Sequence, residues 1–310
     1  MIASGLTDLA LDVPRTAAKL SLHALRWTMG LTPHRRPAGD IEWAWLESGA
    51  ADGEPLVLLH GFSGSKDNWL LYAPLMAGCY RVICPDLPGF GDSTRDADND
   101  HGIAAQVARL AAFLDALGIA RCHLGGNSLG GYVALAFALE YPERLLSLSL
   151  FNNAGVNGPE RSDLQQKMAR GENPLQLHSR RDLDRILALV IHRPPYIPLL
   201  VKYLVLAEHR RYGALLNRIF GQIIGDALER PLDDRLGELD IPTIIFWGEQ
   251  DQLLHVSAAT FQNERIAGSE LVVFEDVGHV PMIERPWATA QHHRDFLARA
   301  IVSQTESAAA

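Results

Sequence analysis

From Ile41 onward, short apolar runs alternate with stretches of helical periodicity, and this alternation is the tightest constraint on the fold. The runs at residues 55–60, 80–84, 122–125, 145–151, 241–247 and 271–274 are strand-length, rich in Val, Ile, Leu and Phe, and bounded by turn formers. Helical patterns lie between and after them at residues 103–117, 129–141, 256–266 and 286–301. Strands that are apolar throughout must be covered on both faces, so the expected class is α/β, a mostly parallel sheet between two layers of helices. Trp43 and Trp45 mark an additional early strand. The alternation stops across residues 155–235, where charges and a proline-broken apolar run replace buried strands. An insertion of that length is expected to be a helical cap following the sixth strand. The chain therefore divides into an arm at residues 1–40, a core at 41–154 and 236–304, and a cap at 155–235.

The chemistry concentrates at strand ends. Gly126-Asn-Ser-Leu-Gly130 follows the run ending at Gly125 and opens an alanine- and leucine-rich helix. In that strand-turn-helix setting the glycines make room for a tight turn that holds Ser128 exposed as a nucleophile. A serine hydroxyl needs a base, and His279 follows the last strand at the same sheet edge. Asp251 lies just past the preceding strand, where a carboxylate would hold the imidazole's tautomer, with Glu249 and Asp276 as rival acids. The developing oxyanion requires preorganised donors, and the backbone N–H groups of Phe62 and Leu129 are the natural pair. Gly61 and Asn127 flank them. His60 reads as a brace for the oxyanion loop, with a directly catalytic role as the alternative.

The segments His60-Gly-Phe-Ser-Gly-Ser-Lys-Asp-Asn-Trp69, Pro85-Asp-Leu-Pro-Gly-Phe-Gly-Asp-Ser93 and Gly125-Gly-Asn-Ser-Leu-Gly-Gly131 together resemble the α/β-hydrolases, most of all the bacterial family V lipases and monoacylglycerol lipases. The resemblance covers residues 41–155 and 236–300. It implies a cofactor-free serine carboxylesterase or lipase that cleaves medium-chain esters, monoacylglycerol-like lipids among them, through an acyl-enzyme. Haloalkane dehalogenases and epoxide hydrolases share the fold but carry aspartate where this chain has Ser128. Carbon–carbon bond hydrolases of ring-cleavage products share the Gly-Asn-Ser elbow and are the enzymatic alternative. A ligand receptor with weak turnover is the non-enzymatic one.

Composition narrows the partners. With 37 acidic against 28 basic residues the formal charge is -9, which disfavours nucleic acid. Cys79, Cys84 and Cys122 have no zinc-site spacing, and neither a metal nor an organic cofactor is expected. Asp8, Asp12, Arg15 and Lys19 interrupt the N-terminus, against a secretory leader, so the expected location is cytoplasmic or peripheral at the inner face of the membrane. Residues 13–39 carry five basic and no acidic side chains. On a helix from Pro14, Arg15, Lys19, His23 and Arg26 would form one stripe, suited to an anionic membrane surface or to packing on the core or a second subunit. The chain is expected to be a monomer or a homodimer.

Overall fold

The computed structural model describes residues 20–194, 199–229 and 231–309. A helix over residues 20–28, α1, leads into an eight-stranded sheet. Its strands are β1 (Thr32–Ala38), β2 (Ile41–Ser48), β3 (Glu54–Leu59), β4 (Tyr80–Pro85), β5 (Cys122–Asn127), β6 (Leu145–Phe151), β7 (Thr243–Gly248) and β8 (Glu270–Phe274). They lie in the order β1-β2-β4-β3-β5-β6-β7-β8. The β1–β2 and β2–β4 pairs are antiparallel and every other pair is parallel. Parallel neighbours need crossovers, supplied among others by α2 (Ala73–Met76), α3 (Ile103–Ala116), α4 (Leu129–Glu140) and α8 (Ser257–Arg265). The chain closes with α9 (Pro281–Glu284) and α10 (Pro286–Ala309).

Two apolar layers explain why β3 to β7 read as continuous hydrophobic runs. Val57, Leu59, Ile83 and Leu124 face one layer with Leu110 and Phe113 of α3 and Val133 and Phe137 of α4. Leu56, Leu58, Val82 and Phe246 face the other with Trp69, Tyr72, Phe296 and Leu297. Helix α4 is apolar all round because it is buried all round, from Leu129 to Ala138. Cys84 and Cys122 sit fully buried on β4 and β5, and burial pushes both thiols up, which leaves them inert.

The arm differs from expectation at its C-terminal end. Residues 32–38 form β1, paired along its length with β2, with Pro33, Arg35, Arg36 and Pro37 on the strand. An edge strand needs ladder hydrogen bonds on one side only, so it tolerates proline, and its charges discourage further pairing. Arg15 and Lys19 of the expected basic stripe lie outside the described residues. Arg26 does not face solvent: its guanidinium makes a two-point contact with Asp67 at 2.8 and 2.6 Å. His23 of the stripe is exposed, and so are three large apolar side chains of α1, Leu20, Leu25 and Trp27, at 65%, 46% and 79%.

Between β6 and β7 the chain forms α5 (Asp163–Ala169), α6 (Arg180–Val190) and α7 (Leu199–Glu229). Ser162 and Ser179 open α5 and α6 with reciprocal capping boxes. Helix α7 is fastened to the core by Asp226, which accepts the Ile103 N–H at 2.7 Å, and by Arg95, which stacks on Tyr212 and pairs with Glu208.

Candidate active site

The sheet order brings the candidate residues together. Strands β5 to β8 are consecutive neighbours, so the loops leaving their carboxyl ends sit side by side. Ser128 follows β5, Asp251 follows β7 and His279 follows β8, while His60, Gly61 and Phe62 follow β3 on the other flank of β5.

Ser128 has φ 54° and ψ -116°, a strained conformation for any residue with a side chain. The surroundings enforce it. Its N–H donates to Phe151 O at 3.1 Å, and its carbonyl accepts from Tyr132 and Ala154, both at 3.0 Å. The flanking glycines are steric necessities: a Cβ at Gly126 would sit on the Gly130 carbonyl, and one at Gly130 on the carbonyls of Leu59 and His60. The Ser128 side chain is half-buried, while His279 and Asp251 are 3% and 7% exposed.

His279 Nδ1 lies 2.7 Å from Asp251 Oδ2. The carboxylate is an acceptor, so Nδ1 carries the proton and Nε2 is left free to accept one. Asp251 Oδ1 accepts the N–H groups of Leu253 at 2.8 Å and Leu254 at 3.1 Å. Asn152 Nδ2 adds a bond to Oδ2 at 2.7 Å. Neither rival acid meets the imidazole: Glu249 is exposed, and Asp276 pairs with Arg285 at the surface. The His279 loop is tied down from several directions. Asn127 Nδ2 donates to His279 O at 3.0 Å, linking the turn after β5 directly to the loop after β8. The His279 N–H donates to Val190 O at 2.8 Å at the end of α6, and Glu284 accepts the N–H groups of Gly278 and His192, both at 2.8 Å.

The loop after β3 closes the other side. A Cβ on Gly61 would stand 3.2 Å from Ser128 Cβ, so the loop backbone passes directly over the elbow. Leu129 is the first residue of α4, where a backbone N–H has no intrahelical acceptor. His60 is fully buried; its Nδ1 donates to Gly61 O at 2.8 Å and its Nε2 accepts the Leu87 N–H at 3.0 Å. Burial lowers its pKa, keeping the ring neutral as this bonding requires. Both ring nitrogens are thus engaged with backbone. Beneath the loop, Lys66 is 3% exposed and its Nζ reaches Asp86 at 2.5 Å and Asp92 at 2.8 Å. The side chain of Phe62 packs edge-on against Phe90 and against Phe220 of α7.

A strained serine at a strand-to-helix turn, beside an aspartate-bound histidine, matches what the sequence of the whole chain shows. Residues 56–290 match the model of the alpha/beta hydrolase family. The chain belongs to that family. Within it, the chain is 35% identical over 285 residues to Lipase 1 of Psychrobacter immobilis, covering 88% of this chain and 89% of that one. It is 30% identical over 283 residues to the mouse monoacylglycerol lipase ABHD6, covering 88% and 84%. Among solved structures, a membrane phospholipase A described as a bacterial virulence factor superposes with a TM-score of 0.88 at 35% identity, covering 96% of each chain. As a member of this family, the chain carries the Ser, Asp, His order of motifs that the fold is known for.

Asn152, Glu284 and the Lys66–Asp86 pair are absent from the sequence-level expectation. Only Asn152 left a local trace. It stands where an apolar strand ends, and asparagine is the side chain that best tolerates positive φ.

Proposed function

We propose that this α/β-hydrolase is a carboxylic ester hydrolase in which Ser128 is the nucleophile, His279 the general base and Asp251 the orienting acid. The observation that carries the reading is the strained Ser128, whose neighbour Asn127 bonds the His279 carbonyl, at the same sheet edge as the buried Asp251–His279 pair. In the first step His279 Nε2 takes the Ser128 proton as Oγ attacks the ester carbonyl. The Phe62 and Leu129 N–H groups receive the oxyanion, Asp251 stabilises the imidazolium, and collapse expels the alcohol, which takes the proton back from His279. Water then repeats the sequence on the acyl-enzyme and releases the acid. No step requires a metal or an organic cofactor. His60, Gly61 and Asn127 support the loops rather than the bonds being made.

The substrate class we infer is lipid esters of medium-length acyl chains, monoacylglycerol-like molecules included. Support comes from the names of the relatives and from the amphipathic helix α6 and the long helix α7, which we read with the rest of residues 155–235 as a cap over the site. The edge-on contact of Phe62, in the loop after β3, with Phe220 of α7 supports that reading. No described helix is long and apolar enough to cross a membrane. The outward Leu20, Leu25 and Trp27 of α1 support peripheral contact with a membrane surface through residues 13–39.

Hydrolysis of p-nitrophenyl esters from acetate to palmitate, with Ser128→Ala as control and a fluorophosphonate to mark the nucleophile, tests the reading. The expected result is labelling at Ser128 and serine-dependent turnover that peaks at medium chains. Labelling elsewhere would refute the assignment. Labelling at Ser128 without ester turnover would favour the carbon–carbon hydrolases or a binding role. For the arm, flotation with anionic liposomes is expected to weaken in a Trp27→Ser variant; equal partitioning would refute membrane contact.

A further inference from the structure

Three features of Asn152 have no explanation in the packing of β6. Its φ is 43°, it is fully buried, and its Oδ1 has no hydrogen-bond partner. A buried acceptor left unbonded costs roughly 1–3 kcal/mol, and positive φ adds to that for any residue with a Cβ. Glycine at this position would avoid both costs. What glycine lacks is the Nδ2 group, which donates to Asp251 Oδ2 at 2.7 Å and lies 3.3 Å from Gly278 O. The amide orientation is fixed by its neighbours, since a carboxylate and a carbonyl both accept and a flipped amide would present oxygen to each.

The geometry points to Asn152 as a positioning residue for Asp251, holding the carboxylate in line with His279 Nδ1 and completing its set of donors; this rests on the triad proposed above. Oδ2 is shared between His279 and Asn152, while Oδ1 is held by the N–H groups of Leu253 and Leu254. The two backbone bonds anchor one oxygen and leave the carboxylate free to swing about it. The bond from Asn152 fixes the second oxygen, the one the imidazole uses. Positive φ is the means: the Asn152 N–H still donates to Phe246 O at 2.9 Å, and the chain then turns so that the side chain crosses to the loops after β7 and β8. The Asn152 amide also withdraws negative charge from Oδ2, which moderates the pull of Asp251 on the imidazolium.

The test compares Asn152→Gly and Asn152→Asp with wild type and Asp251→Asn, using kcat, KM and the pH dependence of kcat/KM on a p-nitrophenyl ester. Active protein is counted by fluorophosphonate labelling at saturation. Asn152→Gly keeps the backbone conformation and removes the donor. We expect kcat per labelled site to fall by about 10–100-fold, the scale seen when outer-shell partners of a reacting group are removed, with KM little changed. The acid limb of kcat/KM should move to higher pH, because a carboxylate that has lost a donor binds the imidazolium more strongly. Asn152→Asp replaces donor by acceptor, places a second carboxylate against Oδ2, and should move the limb further the same way. Glu284, which accepts the Gly278 N–H, and His192, beside it, are the ionisable groups flanking this loop; both stay unchanged in every variant. A merely structural role would lower the labelled fraction without moving the limb. Wild-type kcat and an unmoved limb in both variants, or losses that only track the labelled fraction, would overturn the proposal. Asp251→Asn separates the two levels. If it retains wild-type kcat, the triad reading fails; if it collapses turnover while the Asn152 variants do not, only the role of Asn152 fails.

Discussion

Replacing Lys66 by methionine tests whether the oxyanion loop is held by an ion pair buried beneath it. Lys66 and Asp86 are 3% and 0% exposed, and the ammonium bridges Asp86 at 2.5 Å and Asp92 at 2.8 Å. Removing one member of a buried pair strands the other charge, at a cost of roughly 3–5 kcal/mol. Asp86 would still accept the N–H groups of Lys66 and Asp92, both at 2.7 Å, so the lower end, about 3 kcal/mol, is expected. For a chain of 310 residues that is a fall in Tm of about 5 °C, read by urea and thermal denaturation. The loss should reach the chemistry. The loop after β4 that carries Asp86 presents Leu87 N–H to His60 and so steadies the loop after β3 with Phe62, and turnover per folded molecule should fall with stability. Adding Asp86→Asn neutralises the stranded charge and keeps an acceptor for one of the two N–H groups, which bind different oxygens, so it should restore part of the stability. A loss below about 1 kcal/mol for Lys66→Met would place the pair among solvent-screened ones. No recovery in the double variant would show that the lysine acts by packing rather than by charge.

Three further outcomes follow from the same geometry. His293 lies fully buried between Tyr72 Oη at 2.6 Å and Ser149 Oγ at 2.7 Å, and burial, helped by His123, holds its pKa down to about 3. The folded state therefore requires it neutral; its contribution is complete above its ordinary value of 6.5 and is lost as pH falls toward 3. Urea denaturation at pH 7.5 and pH 5 should show wild type losing about 2 kcal/mol more than His293→Gln, and equal losses would refute this. Gly91, at φ 54°, has no room for a side chain because a Cβ would sit on the Asp86 carboxylate, so Gly91→Ala should destabilise by at least about 2 kcal/mol and by clearly less once Asp86 is Ala, when only the strain of positive φ is left. Phe220→Ala removes an edge-on contact with Phe62 worth about 0.5–1.5 kcal/mol, so kcat on the ester series should fall roughly 2–12-fold with stability little changed, and an unaltered kcat would separate α7 from the oxyanion loop.

What the sequence displays and what it hides divide along a physical line. Strands β3 to β7 are legible because burial on both faces writes a continuous apolar run, and Ser128 because its tight turn demands glycines two residues either side. Strand β1 is illegible: its seven residues include two prolines and two arginines, and only pairing with β2 makes it a strand. The charge of Arg26 looks like a solvated stripe until Asp67, 41 residues away, turns it inward. Lys66 likewise reads as a surface lysine, because the cost of burying it is met by carboxylates 20 and 26 residues further on. A residue whose role is set by its own turn or its own strand can be found from its neighbours. One whose role is set by a partner across the sheet needs the partner's position.

That distinction explains why Ser128, Asp251 and His279 stand out in the sequence although they are spread over nearly half of the chain. Each stands in the loop that follows a strand, and in a parallel sheet every strand delivers its carboxyl end to the same edge. Adjacent order then does the rest: β5, β6, β7 and β8 lie side by side, so Ser128, Asn152, Asp251 and His279 arrive in sequence along that edge. Asn152 is the fourth term of the series, the residue after β6. It went unseen because an amide in a loop has a dozen ordinary uses, whereas Ser, His and Asp in chain order have few. The strand order predicts that the residue after β6 must touch whatever follows β7, and the 2.7 Å bond to Asp251 is that contact. The same reasoning limits substitution at position 152 to side chains short enough to turn at positive φ, able to donate, and long enough to reach Asp251 Oδ2, a combination that suits asparagine.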